Sequence, residues 1–559
     1  MKKYVSLLLT VLLTLGLFAS CGKKTNENST LKIGTENITG NFNPFYAESE
    51  GDKQVSAQIY PRIQYRSSSN KLVNLSGGIS YEYIGESKVK YTVTIKNNLF
   101  FPDGTNVTID DVIFWYYVLA DATYDGPYSD FYLNDIEGLK EYYYDDADYE
   151  TSLMSLTSDS SIKSYIKKNY ADGISVDKIS GINRVDDYTC TILFNSRNIN
   201  AVSEINAYIV SKAFLTKEYV KGSADKIEYY TFEIPGCGGY MFEEYKSDKA
   251  TLKRNPEYVS DNPGFKTCEF IDLEGKGKDA VDAVSSGYVD VVTTMATDEA
   301  VKSVSGENFK YYLTYEDSYS SLFINTKRVP SDILRKAIIG STDVTSVLSE
   351  KAGGYSTKLY RPISIRFSEY PSDVNSDYYN SSSLTTYKLL VKESASISAY
   401  CIEDESGIDY EILSKLKETL ASANITLDIT ACTEKELEKA IKSGKADIWI
   451  ASVPDGETCD KYDYYNSNGK LNKTYISTAE IDELTSEIRR STGFVDKSEL
   501  TRELLELVME QASELPLYQS RDITVYNTEI IDASSLENLN SYDGYMYVIP
   551  YLESNNKSE

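Results

Sequence analysis

Phe101-Pro102-Asp103-Gly104-Thr105-Asn106-Val107-Thr108-Ile109-Asp110-Asp111-Val112-Ile113-Phe114-Trp115-Tyr116 reads as a turn, a cap and a helix in one run. Ahead of it, Val89, Tyr91, Val93 and Ile95 alternate with polar residues, the period of a strand with one buried face. Pro102-Asp103-Gly104 breaks the chain as a turn, because proline presets one backbone angle and glycine accepts the next. Thr108 is placed to cap a helix whose third position is Asp111, so a hydroxyl and a carboxylate satisfy the first unpaired N–H groups. Ile109, Val112, Ile113, Tyr116 and Ala120 then fall on one helical face.

Composition bounds what such elements can build. A chain of 559 residues has the length for several domains and a large core. Its formal charge of -28, from 57 basic and 85 acidic residues, excludes nucleic acid and anionic membrane surfaces as partners, since both demand clustered Lys and Arg. The sequence has no histidine, which removes the commonest general base and the commonest metal ligand together. No Ser-His-Asp or Cys-His site can be assembled, no Walker A loop or Cys-x-x-Cys pair is present, and no catalytic residue, metal site or cofactor is expected. Asp373, Asn375 and Asp377 begin a calcium-loop spacing but lack its Gly and Glu, so they read as a solvated loop. The 49 tyrosines, against two tryptophans, offer aromatic faces with polar tips, suited to a wet cleft or an exposed surface.

Met1 to Cys21 begins with Lys2 and Lys3, runs apolar from Val5 to Phe18 and ends in Ala19-Ser20-Cys21, the pattern of an export signal (residues 1–20). It resembles a bacterial lipobox, which implies that Cys21 becomes the lipid-bearing amino terminus. Residues 21–30 are small and polar, as a flexible tether requires. Further on stand Asn43-Pro44-Phe45, the glycine-rich Pro235-Gly236-Cys237-Gly238-Gly239-Tyr240 and Leu252-Lys253-Arg254-Asn255-Pro256-Glu257-Tyr258, then Leu322-Phe323-Ile324-Asn325 and Leu334-Arg335-Lys336-Ala337. With the stretch from Asp103 to Phe114, which is similar to "DGTPLTAEDVVF", these blocks resemble family 5 of the solute-binding lipoproteins of ABC importers, the peptide/nickel type. The glycine-rich loop does not read as a phosphate cradle, because a strand follows it and no helix-opening Lys-Ser/Thr.

From Phe270 strands and helices alternate: Cys268 to Leu273, a helix from Asp279 and Val289 to Thr293. The pattern resumes with Ser396 to Ile402, a helix from Tyr410 to Ala421 and Thr426 to Ile429. Thr433 and Glu436 then cap a helix before a strand from Asp447 to Ala451. The resemblance implies an α/β, two-lobed periplasmic-binding-protein-like fold (type II, class C) with an extra subdomain in the first lobe. Residues 31–50, 173–268 and 517–559 are expected to form lobe I, 51–172 the inserted subdomain and 269–516 lobe II.

It also implies function: an exported protein, lipid-anchored on the outer face of the cytoplasmic membrane, that captures a small solute between its lobes by hinge closure and delivers it to permease subunits. A monomer without enzymatic activity is expected. Peptide is the favoured ligand, with a chelated metal, a sugar or an opine left open. A sensor or adhesin, or a secreted hydrolase using two of the many carboxylates, is the alternative. Family correspondence places Asn43 at a turn bordering the cleft and Tyr128, in Gly126-Pro127-Tyr128, on its wall. Asp455, just after the strand Asp447 to Ser452, falls near the acceptor of a peptide's α-ammonium. Val453 replaces the tryptophan usual there, and Trp449 is the aromatic candidate beside it. The other six cysteines divide three and three between the expected lobes. Complete pairing would therefore bridge the hinge, so mainly free or only partly paired thiols are expected.

Replacing Cys21 with Ala is expected to release the protein from the membrane, because stable anchoring takes more than one acyl chain at that residue. Fractionation of cells checks it, with retention of the processed variant in the membrane as the contrary result.

Overall fold

The computed structural model describes residues 29–67, 71–258, 264–273, 280–391, 393–402, 407–492, 496–538 and 546–555. The expected signal at 1–20, Cys21 and the tether through residue 28 lie outside the described residues, as does Asp279. No helix among the described residues is long and apolar enough to cross a membrane.

The chain opens with β1 (Thr30–Thr35), followed by a ribbon of β2 (Gln64–Arg66) and β3 (Leu72–Asn74). β4 (Gly77–Ile84), β5 (Lys88–Ile95), β6 (Ile182–Arg184) and β7 (Thr189–Phe194) form a separate antiparallel sheet in the order β4-β5-β7-β6. In β5, Val89, Tyr91, Val93 and Ile95 are all buried, as their alternation requires. The helix Ile109–Leu119 packs on this sheet. Its first turn is held by the Asp111 carboxylate, which accepts the Thr108 N–H at 2.9 Å and the Lys212 N–H at 3.0 Å. Phe45 stacks on Trp115 of this helix with ring centroids 4.3 Å apart, which ties the Asn43 turn to the subdomain.

β8 (Tyr240–Lys246), β9 (Lys249–Arg254), β10 (Thr267–Asp272), β11 (Val291–Met295) and β12 (Phe309–Tyr315) come next. β13 (Ser318–Ile324), β14 (Ser356–Lys358), β15 (Ala395–Cys401), β16 (Ile425–Ala431), β17 (Ile448–Pro454) and β18 (Glu514–Asn527) complete the strands. All eleven join β1 in one continuous sheet, ordered β16-β15-β17-β13-β18-β11-β1-β10-β9-β8, with β12 and β14 also paired to β18. β15 lies parallel to β16 and to β17, the crossover arrangement that alternating strands and helices impose.

The glycine-rich block earns its composition by close packing. A Cβ on Gly236 would lie 2.0 Å from the Ile59 carbonyl oxygen, and one on Gly238 would lie 2.2 Å from that of Gln58. Asn255 then clamps the loop, donating from Nδ2 to the Gly238 carbonyl at 3.0 Å and from its N–H to that of Gly239 at 2.9 Å. The glycine-rich and Arg-Asn-Pro blocks are two halves of one structural joint.

One boundary moves. The division expected at 268/269 falls inside β10, whose whole length pairs with β1, and β11 pairs with both β1 and β18. β10 and β11 therefore pair on the β1 side of the sheet, and β12 pairs with the same end of β18 as β11. A strand–helix–strand unit has the same sequence grammar in either lobe, so only the pairing assigns it. The apolar cores follow that division: Phe270 and Val291 sit in the cluster with Leu31, Ile33 and Phe42, whereas Leu322, Ile397, Ile412 and Ile448 form another.

Cys190, Cys237, Cys268, Cys401, Cys432 and Cys459 stand as thiols outside disulfides, all buried except the half-buried Cys432. Burial pushes Cys190, Cys268 and Cys459 up to about 12, which suppresses the reactive thiolate. A thiol reagent is expected to modify Cys432 first in the folded protein and all six after unfolding without reductant. Mass spectrometry finding paired cysteines in the unreduced, unfolded chain would contradict this.

Candidate functional site

The two halves of the long sheet are joined where β18 changes partners. Its first residues pair with β13, Leu322 facing Leu515, and from Arg521 onward it pairs with β12, Tyr315 facing Arg521. Pro516 cannot donate to a ladder, and the β13 register shifts between Ser320 and Ser321, opposite it. The second crossing is the short link between β12 and β13. It is stitched to β18 by the Glu316 N–H to the Ser520 carbonyl at 3.1 Å and by Gln519 Nε2 to the Glu316 carbonyl at 2.8 Å. Two adjacent, mutually bonded crossings permit bending about one line and resist other motions.

Beyond this hinge the lobes meet through the segment following β17, residues 455–461, which is pinned at both ends. At its start, the buried Asp455 donates its N–H to the Asp317 carbonyl at 2.8 Å, and its carboxylate lies 3.7 Å from Arg366 Nη1. At its end, the buried Lys461 points its ammonium at the faces of Tyr319 (5.0 Å) and Tyr464 (5.4 Å). Glu514, whose carboxylate accepts Ser321 Oγ and Tyr465 OH at 2.8 Å each, adds an attractive charge there. Burial shifts this pair in opposite directions, Glu514 upward and Lys461 downward.

Held this way, the middle of the segment reaches the other lobe. Glu457 Oε1 lies 3.3 Å from Arg62 Nη1 and Oε2 lies 3.6 Å from Arg66 Nε. Asn200 Nδ2 donates to Asp460 Oδ2 at 2.8 Å, and Asn200 Oδ1 accepts Thr458 Oγ. Asp460 is oriented for this from its own lobe by Arg489 Nε at 2.8 Å. The Ile199 N–H to the Arg489 carbonyl at 2.9 Å, and Tyr83 OH with Thr492 Oγ1 at 3.1 Å, extend the contact. On the lobe I side, Arg62 lies over the Tyr208 ring (5.5 Å), and Tyr208 and Tyr128 pack edge-on against Trp115 at 5.3 and 5.6 Å. The result is an aromatic wall carrying two guanidinium groups, faced by a rigidly mounted acidic loop.

Among the residues singled out from sequence, Tyr128 lies in this wall, and burial raises its phenol pKa, so it stays neutral. Asp455 roots the facing loop two residues from Glu457. Asn43 is placed elsewhere: it is fully buried, its Nδ2 donates to the carbonyls of Ile227 (2.8 Å) and Tyr230 (2.7 Å), and its Oδ1 accepts the Phe45 N–H. That amide is committed to holding the turn. Trp449 is also buried, stacked on Phe323 with centroids 5.6 Å apart in the core of the second half. Arg62, Arg66, Asn200, Glu457 and Asp460 escaped sequence reading, because isolated charged and amide residues carry no spacing signal.

This architecture is that of a two-lobed solute-binding protein, α/β throughout and with an extra subdomain in its first lobe. The family described as "Bacterial extracellular solute-binding proteins, family 5 Middle" matches residues 80–475, and the chain belongs to it. It is similar to the oligopeptide-binding protein AppA of Bacillus subtilis (strain 168), at 20% identity over 562 residues and 92% of each chain. In three dimensions it resembles the ABC transporter substrate-binding protein CtaP of Listeria monocytogenes, with TM-score 0.73 and 16% identity over 95% of this chain and 100% of the other. It also resembles Bacillus subtilis AppA in complex with a nonapeptide, with TM-score 0.65 and 16% identity over 94% of this chain and 99% of that one.

The hinge carries a titratable group. Burial first, then the charges of Glu316, Asp317 and Glu50, raise the Asp522 carboxyl to about 7, against the opposing pull of Arg366. With a folded pKa above the unfolded value, its contribution to stability is fully present below about pH 4 and is lost as pH rises through about 7. Asp522→Asn is therefore expected to stabilise the protein by about 2 kcal/mol at pH 8 and to make little difference at pH 4. Urea denaturation at the two pH values measures it, and an equal effect at both would exclude a raised pKa.

Proposed function

We propose that this extracellular binding protein captures a peptide between its lobes and delivers it to the membrane permease of an ABC importer. The observation that carries the reading is the rigidly rooted 455–461 segment, which reaches across to Arg62, Arg66 and Asn200 beside the aromatic wall. A solute between these surfaces would touch both lobes only when they close, so binding shifts the population toward the closed form. The oligopeptide-binding name and the nonapeptide complex among its relatives support peptide as the solute class. In this reading the protein works as a monomer without catalysis or cofactor, lipid-anchored through Cys21 outside the cytoplasmic membrane. Lobe I comprises residues 31–50 and 173–315 with the end of β18 and the C-terminal residues after it. The inserted subdomain is 51–172, and lobe II is the remainder. Asp455 is the proposed acceptor of the peptide's α-ammonium, and Tyr128 lines the cleft.

Mass spectrometry of ligand released from the purified protein, followed by calorimetry with the identified peptide, tests the class. A sugar or metal chelate in its place overturns it. With a peptide in hand, Asp455→Asn is expected to weaken binding of the free-amine form about tenfold to a hundredfold while leaving its acetylated analogue largely unaffected, the range for a buried bond between charged groups. Equal losses for both forms would remove Asp455 from the site.

A further inference from the structure

Arg62 and Arg66 point two guanidinium groups at one carboxylate, and that carboxylate belongs to the opposite lobe. Both side chains are largely removed from water, with 19% and 14% of their surface exposed, whereas Glu457 keeps 31%. Arg62 is held from within its own lobe: Nε donates to the Asn206 carbonyl at 3.3 Å, and the guanidinium lies over Tyr208. Asn206 is itself locked to Gln64, accepting its N–H and donating to its carbonyl, both at 2.9 Å. Arg62 is therefore held in place independently of Glu457, which reaches it from the opposite lobe.

Other acidic groups nearby do not take Glu457's place. Asp130 pairs with Lys470 at 2.7 Å. Glu204 accepts Asn134 Nδ2 at 3.3 Å, and loss of hydration, with the charges of Glu457 and Asp130, raises its carboxyl pKa against the opposing pull of that hydrogen bond and of Arg62. A solute entering between the lobes at this point separates Glu457 from the two arginines. Removing one partner of a poorly hydrated ion pair is costly, because the remaining charge has little water to return to. A solute that brings its own carboxylate avoids that cost, and a planar guanidinium recognises a carboxylate through paired, charge-assisted bonds. On a chain with a net charge of -28, this pair is a local exception to the repulsion an anionic group meets elsewhere.

We propose that Arg62 and Arg66 form a subsite for a ligand carboxylate, and that Glu457 occupies it from the opposite lobe until such a ligand displaces it. The proposal rests on the peptide-binding reading only for the source of the carboxylate, which would be a peptide's C-terminus or an acidic side chain.

The test compares a peptide lacking acidic residues as its free acid, the same peptide as its C-terminal amide, and the amide carrying one glutamate. Calorimetry is run on the wild type, Glu457→Gln and Arg62→Lys. The wild type is expected to bind the acid at least about tenfold more tightly than the plain amide, the least discrimination expected of a charged hydrogen bond. Tight binding of the glutamate-bearing amide assigns a side chain as the source, and its weak binding assigns the C-terminus. Glu457→Gln is expected to tighten the acid form by a larger factor than the plain amide, whereas Arg62→Lys narrows the difference between them. Equal binding of acid and plain amide by the wild type, or uniform weakening of every form in Glu457→Gln, overturns the proposal and leaves only a closure contact. Glutarate titrated into Glu457→Gln, followed by intrinsic tryptophan fluorescence, provides an arm independent of peptides. A saturable change lost in Glu457→Gln/Arg62→Lys supports the subsite, and no saturable change overturns it. Failure of all three peptides to bind, with a saturable glutarate response, sinks the peptide reading alone.

Discussion

Everything in this molecule depends on β18 being bonded to two different sets of partners along its length. A strand shared in this way makes the two lobes parts of one sheet, yet leaves a line across which the ladder changes hands, between the residues facing β13 and those facing β12. The second crossing lies beside the first and is bonded to it, so relative motion of the lobes is confined largely to opening and closing. The carboxylates gathered at that line, Glu316, Asp317 and Asp522, place mutual repulsion at the pivot.

The contrast between the two sides of the interlobe contact follows from how each is supported. The 455–461 segment would be an ordinary turn by composition, but Asp455 and Lys461 are drawn into the second lobe's interior by Arg366, two tyrosine faces and Glu514. Only Glu457, Thr458 and Asp460 project. Opposite them, Arg62 is mounted on a backbone carbonyl and an aromatic ring. A contact between two preorganised surfaces loses little side-chain freedom when it forms.

Much of the fold was legible locally. The alternation in β5, the Thr108–Asp111 cap and the Thr433–Glu436 capping box all appear as short-range chemistry demands, with Glu436 accepting the Thr433 N–H at 3.0 Å. Asn43 and Trp449 have surroundings that no local pattern gives. Asn43 lies in the turn as read, but the side chain faces inward to two carbonyls some 180 residues away in sequence, which no local pattern discloses.

What the sequence determined by itself was everything that periods, caps and composition control: the elements, the absence of histidine chemistry, the acidic balance of charge and, through ordered motif blocks, the family. Tertiary structure alone decided which lobe each repeated strand–helix unit joins, because β10 and β11 read like β15 and β16 until their hydrogen-bond partners are known. It alone also brought Arg62 to Glu457 across 395 positions of chain. Charges attract over the few ångströms that folding creates, and a linear sequence holds no record of a distance that exists only after two separately built surfaces have closed on each other.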